Sequence, residues 1–236
     1  MKKLLFSYFE KIWHDAADLN NKILKSCIEP EKKAKVLDIG FYRGELSVER
    51  FKNIKHPDIY GIDISQEAIK SGKKINIKTV KHNLEKGLPY KSNFFDIIAA
   101  NQIIEHLVDV DLFMKEIYRV LKPKGYLILS TENLSSWHNL FALTLGWQAF
   151  SQHISRKSHI GNPLRLHKIG REDEDIHIKI FTLRGLKDLF SIYNFKVETT
   201  FGAGYYPIPY PFAKILSKID PIHAAFIGLK ARKPTK

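Results

Sequence analysis

The chain has 236 residues, of which 44% are hydrophobic and 27% charged, enough for one substantial core, and we expect a single domain over residues 1–236. No apolar run is long enough to cross a bilayer, and Glu10 and Lys11 interrupt the apolar start before a signal peptide could form. The single cysteine, Cys27, excludes an internal disulfide and a cysteine-based metal cluster, and predicts a reducing, cytoplasmic location.

The formal charge of +13 is the most unusual feature of the composition. Such an excess of Lys and Arg predicts an anionic partner, such as nucleic acid, a phosphorylated metabolite or an anionic lipid surface. The lysines are spread along the whole chain instead of forming one tract, which favours lysine-rich codon usage as the explanation. A nucleic-acid partner is therefore not favoured, and peripheral contact with a membrane stays open.

The chain begins with an apolar pattern of near-helical spacing. This pattern runs over residues 1–29 and predicts an amphipathic helix that ends before Pro30. Two interpretations of this helix stay open, since it could cover a ligand site or only pack on the sheet.

A buried strand and a glycine loop follow the helix. Residues 35–39 predict the strand, and Gly40 and Gly44 bracket a turn into a helical segment. Glycine is favoured there because a side chain would keep the backbone away from a ligand. A dinucleotide-binding loop would have glycines at its third and sixth positions, where this chain has Tyr42 and Glu45. The pattern therefore disfavours a nicotinamide-dependent dehydrogenase.

A second strand over residues 59–64 ends near a carboxylate, Asp63. A carboxylate at the carboxyl end of a strand, beside a glycine loop, can accept hydrogen bonds from both hydroxyls of a ribose. Asp63 could instead cap the next helix, but Ser65 already supplies an N-cap hydroxyl and Glu67 a first-turn charge. We therefore predict that Asp63 binds ribose.

Polar side chains also follow the third and fourth predicted strands. The third strand covers residues 75–81 and precedes Asn83 and Leu84, where a simple Asx-turn is the alternative to ligand binding. The fourth strand, residues 95–100, ends in two alanines that leave room for a ligand at the carboxyl ends of the strands. The side chains placed to hold that ligand are Asn101 and Gln102.

The rest of the chain continues the alternation of helices and strands. An amphipathic helix over 110–121 leads into a fifth strand at 126–131, and the last two strands are predicted at 195–201 and 224–231. This alternation predicts an α/β fold, a Rossmann-like doubly wound sheet of about seven mostly parallel strands with helices on both faces.

Four stretches, in their order and spacing, resemble the class I S-adenosylmethionine-dependent methyltransferases. They are VLDIGFYRGELS at 36–47, YGIDIS at 60–65, FDIIAANQIIEHL at 95–107 and LKPKGYLILSTEN at 121–133. The resemblance implies S-adenosyl-L-methionine as the cofactor and a last strand that is antiparallel beside the sixth. The family usually has a small residue in place of Tyr42, so the loop is expected to sit differently against the methionine end of the cofactor.

The resemblance also implies roles for individual residues. Asn83 would bind the adenine amino group, with Leu84 on the face of the ring. His106 would face the same crevice and titrates near neutrality, which makes it a candidate general base, with a structural histidine capping a helix as the alternative. The predicted cofactor-binding residues are Asp38, Gly40, Tyr42, Gly44, Asp63, Ile64, Asn83, Leu84, Asn101 and Gln102.

Residues 134–181, called the excursion below, interrupt this regularity. They are rich in aromatic residues, and half of the ten histidines lie between 138 and 177. We interpret the excursion as a substrate-selecting cover between a cofactor-binding core (35–133) and a carboxyl-terminal part (182–236). The histidine spacing matches no zinc pattern, so no metal is expected. Its basic side chains include Arg156, Arg165 and Arg171.

The form IIEHL at 103–107 resembles small-molecule methyltransferases that act on quinone precursors, lipids or sugars. The resemblance implies methyl transfer to an oxygen, nitrogen or carbon atom of such a molecule. The aromatic cover favours an acceptor with apolar bulk, and its arginines favour an anionic group on that acceptor. The stretch after strand four lacks the prolines of base-modifying amino-methyltransferases, and no cysteine is placed for attack on a pyrimidine ring. A non-catalytic cofactor-binding or partner-binding module and an RNA methyltransferase remain the alternatives.

Overall fold

The computed structural model describes residues 2–158, 160–164 and 176–235. Its strands are β1 (Glu31–Ile39), β2 (Ile54–Asp63), β3 (Lys78–Lys81), β4 (Phe95–Asn101), β5 (Leu121–Glu132), β6 (Lys196–Ala203) and β7 (Phe226–Arg232). Its α-helices are α1 (Lys2–Ser26), α2 (Glu45–Arg50), α3 (Gln66–Lys74), α4 (Val110–Val120), α5 (Trp137–Thr144), α6 (Leu183–Ile192) and α7 (Tyr210–Ile219). Of the predicted cover, Arg165 and Arg171 lie outside the described residues.

The seven strands form one sheet in the order β3-β2-β1-β4-β5-β7-β6. Strand β7 runs antiparallel to both of its neighbours, β5 and β6, whereas the other pairs are parallel. The predicted doubly wound sheet with an antiparallel last strand is therefore confirmed. The strand order runs outward in opposite directions from β1 and β4, which are parallel neighbours. In open α/β sheets, ligands bind at such a switch point, beyond the carboxyl ends of the strands.

Alternate residues of the central strands enter two different cores. In β1, Leu37 and Ile39 pack with helices α4 and α6 on one face, whereas Val36 packs with Leu24 of α1 on the other. This period of two, in strands that are apolar on both faces, is typical of a parallel sheet covered by helices on both sides. The first helix therefore packs on the sheet, and its covering of a ligand site stays a prediction.

Four strands start three or more residues away from the predicted position, and β1 and β2 begin earlier than predicted, at Glu31 and Ile54. Strand β3 starts at Lys78, because Ile75 ends helix α3 and Asn76 adopts a positive φ of 61°. Strand β5 starts at Leu121, directly after α4. The stretch between the predicted helix and the predicted strand contains a bulge inside β5, where φ of Lys124 is 67° and the register with β4 shifts. The errors at β3 and β5 arise at left-handed residues other than glycine, for which the sequence carries a weak signal.

The excursion leaves and rejoins the fold at one point. Asn133 forms an isolated bridge with Phe181, and the Leu134 amide donates to the Phe181 carbonyl at 2.9 Å. Helix α5 is its only helix within the described residues. Across the described ranges, no helix combines the length and the apolar character that a membrane span needs.

Candidate functional site

The glycine loop lies at the carboxyl end of β1. Gly40 and Gly44 have φ values of 67° and 89°, in the left-handed region that glycine adopts without strain. A Cβ atom on Gly40 would lie 2.0 Å from Cδ1 of Ile103, so the loop can pass this close to the chain after β4 only as glycine. The Gly40 amide donates to the Ile62 carbonyl at 2.9 Å, which joins the loop to β2.

The Asp63 carboxylate holds the glycine loop to the end of β2. One oxygen accepts from the Tyr42 amide at 3.1 Å, and the other accepts from the Ser65 amide at 2.8 Å. Each carboxylate oxygen has a second lone pair, so both can also accept from a ligand hydroxyl. The Tyr42 side chain is 65% exposed with the Arg43 guanidinium 5.3 Å from its ring centroid, and Ile64 is also exposed.

Asp38 lies behind the loop in an internal ion pair. Its side chain is 1% exposed, and Nη1 of Arg50 on α2 lies 2.6 Å from both of its oxygens. Burial raises the pKa of Asp38, and the Arg50 guanidinium opposes that rise. The sequence places Asp38 among the cofactor contacts. The structure gives it a partner within the chain, and a direct ligand contact stays a prediction.

Helix α1 is hydrogen-bonded to the carboxyl ends of β4 and β5. Nδ2 of Asn20 donates to Oδ1 of Asn101 at 2.8 Å, and Nδ2 of Asn101 donates to Oδ1 of Asn21 at 3.2 Å. The Ser130 hydroxyl donates to Oδ1 of Asn20 at 2.8 Å and accepts from Nε2 of Gln102 at 3.3 Å. Asn101 and Gln102 are thus held in place at the point where the sheet order reverses.

Asn83 adopts the local turn that the sequence left open as an alternative. Its Oδ1 accepts from the Glu85 amide at 3.0 Å and begins the 3₁₀ helix Leu84–Lys86. Leu84 is half-buried against the core. An adenine contact of Asn83 and Leu84 stays a prediction.

A second polar cluster forms where the excursion meets the 3₁₀ helix Ile104–His106 after β4. The Glu105 carbonyl accepts from the amides of Ile178 and Lys179 at 2.8 and 3.1 Å. Nδ1 of His106 lies 3.0 Å from the Ile176 carbonyl, so its ring bonds to the excursion instead of capping a helix. The ring centroids of His106 and His177 are 5.0 Å apart.

Two buried carboxyl groups, Glu105 and Glu132, belong to this cluster. Oε2 of Glu105 accepts from the Thr131 hydroxyl at 2.9 Å, and Oε2 of Glu132 accepts from the Ser151 hydroxyl at 2.8 Å. Burial raises the pKa of Glu105 to about 8, and the charge of Glu132 adds to the rise. Burial likewise raises the pKa of Glu132 to about 7, against the hydrogen bond from Ser151. Such perturbed groups in a cleft are typical of functional sites.

The sequence pattern points to His106 but not to the residues around it. Asn20 and Asn21 interrupt the apolar stripe of α1, which was a visible signal for a buried polar contact. Glu105 stood beside His106 in the motif and had no role. His177 was counted among the excursion's histidines without a partner, because no spacing connects it to residues that lie far earlier in the chain.

An open, mostly parallel sheet with a glycine loop and a carboxylate at adjacent strand ends defines the class of nucleotide-binding α/β proteins. Within that class, a family model described as a methyltransferase domain matches residues 8–200. The chain therefore belongs to this methyltransferase-domain family, and the family predicted from the four motifs is confirmed.

Curated relatives are similar over part of their length. The chain is 30% identical over 128 residues to a ubiquinone biosynthesis O-methyltransferase of Pelagibacter ubique, covering 51% of each protein. It is 33% identical over 100 residues to a demethylmenaquinone methyltransferase of Chlorobaculum tepidum, covering 42% of this chain and 40% of the relative. In these alignments the chain spans about half the length of the curated relatives or less.

Solved structures share the fold across nearly the whole chain. A putative methyltransferase in complex with the Haloferax volcanii Trm112 activator matches with a TM-score of 0.65 and 13% identity, over 96% of this chain and 92% of that one. An S-adenosylmethionine-dependent methyltransferase of Methanosarcina mazei matches with a TM-score of 0.62 and 19% identity, over 91% and 98%. At these identities the likeness concerns the fold.

Proposed function

We propose that this protein is an S-adenosyl-L-methionine-dependent methyltransferase that acts on a small molecule. The observation that carries the proposal is the glycine loop tied to Asp63, beside the buried cluster around His106 at the same edge of the sheet. The family match supports the reaction class. The cofactor would occupy the loop side, with Asp63 on the ribose, and the acceptor would lie toward His106.

Methyl transfer requires little covalent chemistry from the protein. When bound, the sulfonium cofactor would supply the methyl group, and its sulfur–methyl bond breaks with the electron pair staying on sulfur while the acceptor atom bonds the methyl carbon. The chain's task is to align the acceptor and exclude water. The carboxyl-end polar network of Asn20, Asn101 and Ser130 would fix the strand ends that define this alignment.

His106 is our candidate for accepting the acceptor's proton. The Ile176 carbonyl can only accept, so Nδ1 of His106 must be the donor of that 3.0 Å hydrogen bond. In the neutral ring this leaves Nε2 as the basic nitrogen, the atom that would remove a proton from a hydroxyl or protonated amine. A carbon or amine acceptor without such a proton would not need this step.

We further propose that the acceptor has apolar bulk and is met at a membrane surface. Helices α5 and α7 and the 3₁₀ helix Pro221–His223 that follows α7 expose large apolar side chains, and the rings of Trp137 on α5 and His223 lie 4.6 Å apart. Helix α7 also carries Lys214 and Lys218, and neither helix contains an acidic residue, which suits an anionic lipid surface. The α5–α7 surface comprises Trp137, Phe141, Phe212, Ile215, Ile219 and Ile222.

An anionic group on the acceptor and a cytoplasmic location complete the proposal. The excess of positive charge favours the first. Arg156, an exposed residue of the excursion, is a candidate contact for such a group. For the location, the support is the single cysteine, Cys27, whose thiol pKa is raised by burial and which forms no disulfide.

Calorimetric titration with S-adenosylmethionine, S-adenosylhomocysteine and NAD in parallel tests the proposal. We expect the first two to bind and NAD not to bind. Lipid-soluble phenols and quinols would then be screened for methyl transfer. Cofactor binding without turnover on any acceptor class would favour a non-catalytic module, and absence of cofactor binding would overturn the proposal.

A further inference from the structure

Three side chains of the buried cluster converge on one point. A ligand atom from each of Glu105, His106 and His177 lies within 4.8 Å of the other two. We propose that these three residues form a binding site for a divalent transition-metal ion such as Zn²⁺. Glu105 and His106 come from the 3₁₀ helix after β4, and His177 comes from the end of the excursion.

Both histidines are oriented as metal ligands usually are. Nδ1 of His106 lies 3.0 Å from the Ile176 carbonyl, and Nδ1 of His177 lies 2.7 Å from the Ser151 carbonyl. A carbonyl oxygen accepts only, so each Nδ1 carries the proton and each Nε2 carries the lone pair. A backbone carbonyl that fixes the far nitrogen of a ligating imidazole is the common outer arrangement around protein-bound metals.

Glu105 provides the independent observation. Its side chain is 0% exposed, and Oε2 accepts from the Thr131 hydroxyl at 2.9 Å. Oε1 is buried and has no hydrogen-bond partner among the described residues. A buried carboxyl oxygen without a partner is costly, and a cation bound there would satisfy it. The Thr131 hydroxyl would then orient the ligating carboxylate from outside.

The set of donors selects the kind of ion. Two imidazole nitrogens and one carboxylate oxygen suit Zn²⁺ and neighbouring divalent transition metals, whereas Mg²⁺ and Ca²⁺ prefer oxygen ligands alone. Three protein ligands are also the number found in catalytic zinc sites, which keep an open position. The sequence spacing could not indicate this site, because Glu105 and His106 are adjacent whereas His177 lies near the end of the excursion.

The role of the ion rests on the proposed function. An acceptor hydroxyl at the open position would lose its proton more readily beside the ion, and its oxygen would form the bond to the methyl carbon. The proton would pass to solvent or a buffer base, since His106 as a ligand could no longer take it. The metal site would also fasten the excursion to β4, because His177 is its only ligand from outside the 104–106 segment.

Zinc titration of the tag-free, EDTA-treated protein tests the site. We expect calorimetry and elemental analysis to find one Zn²⁺ per chain, and Co²⁺ to give the visible absorption of a low-coordinate nitrogen–oxygen site. His177→Ala and Glu105→Gln should each weaken zinc binding by at least the roughly 10- to 100-fold that loss of an outer partner costs. His56→Ala, at an exposed histidine of β2, is the matched control and should bind like wild type.

Substoichiometric zinc in the wild type, or unchanged affinity in His177→Ala, would overturn the site. The wild-type stoichiometry and the cobalt spectrum decide the matter even if Glu105→Gln fails to fold. A parallel titration of the metal-free protein with S-adenosylmethionine separates the two proposals. Cofactor binding without zinc binding would refute the metal site alone. Zinc binding without cofactor binding would refute the proposed function alone.

Discussion

The two halves of the ligand-binding edge compensate buried carboxyl groups in different ways. On the cofactor side, Asp38 is paired with the Arg50 guanidinium at 2.6 Å. On the acceptor side, burial raises the pKa values of Glu105 and Glu132 to about 8 and 7, and hydroxyl groups are their side-chain donors. The first half is a fixed charge pair that supports a loop, whereas the second can exchange protons near neutrality.

The contrast separates scaffolding from chemistry along one sheet edge. A buried ion pair is costly to break by removing one partner. Buried carboxyl groups whose pKa values lie near 7 can change charge with the ligand or the proton at hand. Substitutions in the two halves should therefore fail in different ways.

The largest expected effect is on folding, for Arg50→Met on the cofactor side. It leaves Asp38 buried without its partner, and the free energy of unfolding should fall by about 3 to 5 kcal/mol. Chemical denaturation measures this, with exposed Arg43→Met as a control expected within about 0.5 kcal/mol of wild type. Recovery in the double variant Asp38→Leu/Arg50→Met would attribute the loss to the unpaired charge. A loss below about 1 kcal/mol would contradict this account.

On the acceptor side, His106→Ala should lower turnover by about 10²-fold, the usual contribution of a general base. Cofactor affinity should stay unchanged, because the hydrogen bond of His106 is to the excursion. Steady-state rates measure the turnover and calorimetry measures the cofactor affinity of this variant. The control is His14→Ala, at an exposed histidine. Wild-type turnover in His106→Ala would make the residue structural.

Asp63→Ala, unlike His106→Ala, should change cofactor affinity. It should weaken S-adenosylmethionine binding by about 1 to 3 kcal/mol, since a charge-assisted hydrogen-bond partner is lost. Calorimetry measures the affinity, and the matched control is Asp58→Ala, on the same strand but in a surface ion pair with Lys78. Equal affinities for the two variants would remove Asp63 from the cofactor site.

The pH dependence of stability should reveal the raised pKa of Glu132. Between the unfolded pKa of about 4.5 and the folded pKa of about 7, native Glu132 keeps a proton that the unfolded chain has lost. Stability from this group is complete below pH 4.5 and falls by about 1.4 kcal/mol per pH unit until pH 7. Glu132→Gln should remove this slope in EDTA-containing buffer, and exposed Glu10→Gln should keep it. An unchanged slope in Glu132→Gln would show that Glu132 is ionised when folded.

The last prediction concerns the α5–α7 surface, which belongs to neither half. Phe212→Ser/Ile219→Ser should weaken co-sedimentation with phosphatidylglycerol vesicles, because about 1.5 to 3 kcal/mol is lost for each large apolar side chain kept from lipid. Turnover on a water-soluble acceptor should not change. Ile192→Ser on α6, equally exposed, is the control. Equal vesicle binding by all three proteins would refute the membrane proposal.

The two halves differ in how much of their structure can be predicted from the sequence. Local patterns predict the glycine loop, β4 and the helix cap at Ser65, and the structure confirms the cap. These features depend on neighbours a few residues apart. The ring contact of His106 with His177 and the hydrogen bond of Asn20 to Asn101 join distant segments, which no local period encodes.

The closure of the excursion at Asn133 and Phe181 makes it a place where the chain can change length. A loop whose ends already meet loses little stability from extra length, about 0.6 kcal/mol for each doubling, so insertions there should leave the register of β5 undisturbed. On the proposed function, such insertions would alter the acceptor site while the strand ends keep the cofactor site.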